Sequence, residues 1–269
     1  MPHSLIDARE PLWRLARERI AHPDLPTVTW RAIWDTAEGI GASAGVLDGA
    51  VAVEHPDLVG AKLTVRRYVS ATALAPLDVA HATHTVTTLV GQGAARVRGI
   101  APGAHLFVAS VVGPDGTADS GDVVAGLRWL ATCEPTILVI PLGNAHDDPD
   151  ITDALALFAQ RDIPIFVAAG NSYPASVQFP ARDASAIATG AIDERGELLM
   201  SCCREPRLDL VAPGMRIWAA IAADREQPGN GTSTACTLTA GAALLAVSAA
   251  GGGRPSRDSI VASVCAPGT

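Results

Sequence analysis

Aromatic residues are scarce in this 269-residue chain: Phe, Trp and Tyr together make up 4% of it. A core must then be built from Ala, Val, Leu and Ile, which suits helices packed closely on a Val/Ile-rich parallel sheet. An excess of basic charge is also missing. Lys and Arg number 20 against 28 Asp and Glu, a formal net charge of -8. That balance argues against a nucleic-acid partner, which binds a basic face, and it favours basic or neutral substrates. The five cysteines, Cys133, Cys202, Cys203, Cys236 and Cys265, include no CxxC pair and no paired metal-ligand spacing. Adjacent Cys202 and Cys203 cannot bridge each other without strain, so reduced, buried thiols are expected. No run of about 18 uninterrupted apolar residues marks a membrane span. The opening MPHSLIDAREPLWRLARERIAHPDLP carries charges throughout and lacks the apolar centre of a signal peptide. A cytoplasmic location is expected.

What is present suffices for a large folded unit. Hydrophobic residues make up 48% and charged residues 18%, the reverse of a disordered composition. Residues 5–21 set Leu12, Leu15 and Ile20 among Arg and Glu, which predicts a short amphipathic helix ended by HPDLP. Trp13, Trp30 and Trp34 lie in the same stretch. Residues 1–41 are therefore read as a helical extension packed on the core, and 42–269 as the main domain. From about residue 42, the short runs SAGVL (43–47), LFVASVV (106–112), TILVIPL (136–142) and IPIFVAA (163–169) read as strands buried on both faces. AIATGAI (186–192) and LDLVAP (208–213) read as later strands. Helical stretches fall between them: the residues after His81, 122–132, 148–161 with its Asp-rich start, and a long Ala/Leu-rich segment after Ser233, with a last helix beyond GGGRP. Strands alternating with helices predict an α/β fold of three layers, a mainly parallel sheet flanked by helices.

Three segments place a reactive side chain beside small residues at element ends. In GVLDGAV (45–51), Asp48 ends an apolar strand, where α/β proteins open their binding crevice; the same residue type also serves as a turn or cap. In DVAHATHTVTTLVG (78–91), His81 and His84 stand three apart near a helix start. They suit a general base, a metal pair or a structural histidine, but zinc needs a third ligand, and no partner motif supplies one. In GNGTSTACTLTAGAALL (229–245), Ser233 opens a helix whose free N–H groups favour an adjacent oxyanion. An ordinary Ser/Thr cap reads the same way.

Taken together, these blocks resemble the subtilisin-like serine peptidase (subtilase) family over about residues 42–265. Asp, then His, then Ser is the subtilisin order along the chain. GVLDGAVAVEHPDLVG resembles the family's aspartate block and HATHTVTTLVG its histidine block. VRGIAPGAHLFVASVVGPDG, FVAAGNSYPASVQFPA, LDLVAPG and GTSTA resemble four further blocks in order. The resemblance implies a subtilisin-like catalytic domain over 42–269. It implies Asp48, His81 and Ser233 as the triad, with His84 structural, and Asn171 as oxyanion donor. It also implies a substrate pocket lined by Leu142, Gly143, Ala168, Ala169 and Gly170, which are small or apolar. No metal and no cofactor are expected, and the expected partner is a peptide substrate, with no nucleic acid or membrane.

The sequence departs from the family pattern at three places. Ala82 replaces the glycine after the base, and a methyl group there is expected to crowd the site. Pro141 stands where Ser is usual, on a strand that pairs with extended peptides, and proline has no N–H to donate. After Ser233 the family's MATPHVAG becomes TACTLTAG, with Cys236 read as core. The wording DGAV and AKLTV resembles proteases that mature cyanobactins and related ribosomally made peptides. The leading expectation is thus a serine endopeptidase processing a peptide precursor. Its alternatives are a related acyl-transfer enzyme, either a peptide macrocyclase or a small-molecule transferase, and an inactive peptide-binding scaffold.

Overall fold

The computed structural model describes residues 23–28, 37–69, 76–222 and 225–265. Its centre is a sheet of seven strands: β1 (Ser43–Asp48), β2 (Lys62–Arg67), β3 (His105–Ser110), β4 (Ile137–Ile140), β5 (Ile165–Ala168), β6 (Ala186–Ile192) and β7 (Leu210–Pro213). The order is β2-β3-β1-β4-β5-β6-β7, and every pairing is parallel. Five helices cover it: α1 (Pro76–Val90), α2 (Ser120–Thr132), α3 (Pro149–Ala159), α4 (Thr232–Ala249) and α5 (Arg257–Cys265).

Strand side chains alternate between two cores, as the period of two requires. Val46, Val108, Ile137, Val139 and Phe166 pack with α1, α4 and α5. Leu47, Ala109, Leu138, Ile140, Ile165 and Val167 pack with α2 and α3 on the other face. Burial on both faces is why β1, β3, β4, β5, β6 and β7 are apolar runs rather than alternating ones. The three-layer α/β arrangement is the one expected from the sequence.

Three features differ from expectation. β2, KLTVRR, was not foreseen, because an exposed edge strand carries the charges of a loop. An antiparallel hairpin of β8 (Ile217–Ala222) and β9 (Arg225–Gly229) was also missed. α1 begins at Pro76, so His81 lies more than a turn inside the helix rather than near its start. Thr27 bridges β7 in parallel at Val211, and the Val28 N–H donates to the Val211 carbonyl. The helix predicted over 5–21 and the residues Trp13, Trp30 and Trp34 lie outside the described residues.

α4 contains no charged residue and is long and apolar enough to cross a membrane, but 78% of it is buried inside the protein. It is the central helix of one core. Gly241 allows its close approach, since a Cβ there would stand 2.7 Å from Ile100. All five cysteines are free; Cys202, Cys203 and Cys236 are buried, whereas Cys133 and Cys265 are only partly so.

Candidate active site

The C-terminal ends of β1, β4 and β5 meet the N-terminus of α4. Asp48 is the last residue of β1 and is fully buried. Its Oδ1 accepts the Gly49 N–H at 2.7 Å and faces His81 Nδ1 at 2.7 Å. Oδ2 is buried and makes no hydrogen bond. A carboxylate in this position favours a cation beside it. Accordingly, the negative charge of Asp48 raises the His81 pKa above the ordinary histidine value, burial opposing and the hydrogen bond assisting. Because Nδ1 donates to Asp48, Nε2 is left as the basic nitrogen of the neutral ring.

α1 is clamped so that this ring cannot drift. Thr83 Oγ1, fully buried, accepts the Ala52 N–H from the loop after Asp48 at 3.0 Å. Beyond the far end of α1, the buried Asp57 carboxylate accepts N–H groups from Ala95 (2.6 Å), Arg96 (3.1 Å) and Val97 (3.0 Å). The Asp57 carbonyl also accepts the Gln92 N–H. The HPDL block is therefore a tether for the segment following α1. His84 is structural, as expected. Its Nε2 carries the proton and donates to the Ile217 carbonyl at 2.8 Å, and burial lowers its pKa. Ala82 does not crowd the site: it is fully buried and its methyl group joins the core beneath α1.

Ser233 is the second residue of α4. The helix is capped by Gly231 with φ +105° and has no side-chain cap, so Ser233 is not the cap residue. Asn171 Oδ1 takes over part of that role, accepting the Thr232 N–H at 2.9 Å and the Thr232 hydroxyl at 3.2 Å. The Thr232 hydroxyl in turn accepts the Gly170 N–H at 3.1 Å. With Oδ1 engaged, the remaining hydrogen-bonding capacity of the Asn171 amide is the pair of donors on Nδ2. A side chain at Gly231 would strike Asn171, its Cβ 2.7 Å from Oδ1. The Ser233 N–H belongs to the first turn, where backbone donors lack helical partners and the helix end is positive.

Ser233 Oγ donates to the Pro141 carbonyl at 2.7 Å, and no hydrogen bond joins it to His81 among the described residues. Bonds of that kind are often long before substrate is bound. Pro141 thus acts here through its carbonyl, while its lack of an N–H leaves the strand end without one donor. Cys236 is fully buried, and burial raises its thiol pKa far above the ordinary value. It is core, as expected. Ala168 and Ala169 are buried in opposite cores, so they offer the expected pocket only backbone. Thr232, Thr83 and Asp57 were not singled out from sequence; each works through a contact distant in the chain.

A model of the Subtilase family matches residues 39–261. The chain belongs to the subtilase family. It is 30% identical over 211 residues to Subtilisin BL of Lederbergia lenta, covering 77% of this chain and 76% of that one. The solved structure of the patellamide maturation protease PatA is similar at 27% identity and TM-score 0.67, with 78% of this chain and 79% of that chain covered. PatG macrocyclase, solved in complex with peptide, shares the fold at 16% identity and TM-score 0.75, with 84% and 82% covered. This subtilase is a serine peptidase of the subtilisin type.

Proposed function

We propose that this subtilase cleaves a peptide precursor, maturing a ribosomally made peptide, with Ser233 as nucleophile. The observation that carries this reading is the 2.7 Å contact of His81 Nδ1 with the buried Asp48, set beside a serine at a helix N-terminus. His81 Nε2 takes the Ser233 proton as Oγ bonds to the peptide carbonyl carbon. Asp48 holds the tautomer and stabilises the imidazolium. The Asn171 amide and the Ser233 N–H donate to the oxyanion, each such donor contributing about 3 kcal/mol of transition-state stabilisation. As the C–N bond breaks, the imidazolium gives its proton to the leaving amine, and water then releases the acyl group by the reverse sequence.

The likeness to PatA supports a precursor peptide as substrate. The test is labelling of the purified protein with a fluorophosphonate, followed by mass spectrometry of a candidate precursor. Labelling that disappears in Ser233→Ala, and products heavier by one water in total, are expected. A folded protein that does not label is the inactive scaffold instead. A product cyclised without net water is the macrocyclase outcome, in which a peptide amine replaces water at the same acyl group.

A further inference from the structure

The ends of β4 and β5 run side by side, Ile140 opposite Val167, and then continue as two walls, 141–143 and 168–170. The space between the walls opens at Ser233, which touches Pro141 on one wall. Thr232 touches Gly170 on the other. Small residues there promise an open pocket, yet the space is occupied. A Cβ built on Gly143 would stand 2.6 Å from Gln178 Oε1, and one on Gly170 would stand 2.6 Å from Gln178 Cγ and Cδ. The Gln178 side chain therefore lies against both glycines at once.

Its backbone is fixed to both walls. The Gln178 N–H donates to the Ala169 carbonyl at 2.8 Å, and Phe179 exchanges two hydrogen bonds with Asn144, at 2.6 and 2.8 Å. At the tip, the Gln178 amide Nε2 donates to Ser172 Oγ at 3.3 Å, a single weak hold. A side chain at either glycine would have to push the Gln178 amide aside, and Gly170, at φ +104°, also has a backbone that other residues rarely adopt.

We infer that Gln178 fills the pocket beside Ser233 and limits the substrate residue on the acyl side of the scissile bond to a short side chain. This rests on Ser233 being the nucleophile. A large apolar side chain entering the space has to displace an amide packed on two backbones, and differences of one methylene in such pockets already change rates by about tenfold or more. Gly, Ala and Ser fit without displacement.

The test uses the full chain and peptidyl diphenyl phosphonates that differ only in the residue bearing phosphorus: Ala, Leu or Phe. A fluorophosphonate without a side chain reports the reactivity of Ser233 separately. The wild type is expected to react about tenfold or more faster with the Ala probe than with the Phe probe. Gln178→Gly and Gln178→Ala are expected to reverse that order, each rate being divided by the same variant's rate with the fluorophosphonate. Equal rates with Ala and Phe in the wild type would show that the amide swings aside and overturn the inference. So would an unchanged preference in both variants. Loss of fluorophosphonate labelling in the wild type itself would remove the nucleophile assignment, and this inference with it, and is read apart from the other outcomes.

Discussion

Thr232 engages the Asn171 acceptor and so fixes the orientation of the amide proposed as oxyanion donor. Asn171→Ala is expected to lower kcat by about 10²–10³ with KM little changed, since the donor acts only as charge develops; steady-state kinetics on a cleaved peptide check this. Gly231 supports the same amide from the other side. Asp48 and His81 set the pH response. With the proposed roles, the raised His81 pKa leads us to expect the acid limb of kcat/KM above about 6.5, since only a neutral ring can take a proton from Ser233. For stability the sign is reversed. The shift adds stability below about 6.5 and withdraws it as pH rises through the folded-state value. Asp48→Asn removes the main cause, so the His81 titration, followed by NMR in the Ser233→Ala background, is expected to move to lower pH. At this scale the sequence offered Asp48, His81 and Ser233 as candidates through their flanking blocks; Asp48 and Ser233 sit at element ends, whereas His81 lies inside α1. It did not disclose Thr83, Asp57, Thr232 or Gln178. All four lie inside the quoted blocks, but their roles are hydrogen bonds and packing to partners distant in the chain, which the block wording does not name. Ala82 shows the converse: a substitution beside the base whose methyl points away from the site.

Among the elements, α1 carries His81 and is held by a polar contact at Thr83 in its middle, while Asp57 ties down the segment that follows it. Asp57 is fully buried and serves three backbone N–H groups. Removing a charged acceptor leaves those donors without partners, at about 1.5–3 kcal/mol for each charged hydrogen bond lost. Asp57→Ala is thus expected to destabilise by about 3 kcal/mol or more, read as a lowered urea midpoint. Turnover of the protein that remains folded should also fall, because the segment that follows α1 loosens. Six of the seven sheet strands were legible because burial on both faces makes them continuous apolar runs. β2 was not, because solvent on its outer edge admits Lys62, Arg66 and Arg67. The β8–β9 hairpin was hidden for a different reason: REQPG reads as a loop, and only its partner strand makes it a strand.

The whole molecule is acidic, with net charge -8. Asp115, Asp119, Asp122, Asp148 and Asp150 follow the ends of β3 and β4 in loops and first helical turns. Cationic peptides are therefore expected to associate faster than anionic ones of equal length, and added salt should lower kcat/KM for the former only. A salt series on a matched pair of peptides measures this. The order of strands in the sheet was not readable from composition or period, which constrain faces but not neighbours; only the structure gives it. The sheet has two outer edges, and they are closed differently. Residues 26–28 lie along β7, with hydrogen bonds in both directions at Val211, while β2 turns a charged strand outward. One border is sealed by the chain itself and the other is guarded by repulsion, so neither offers a flat template on which a second copy can add strands.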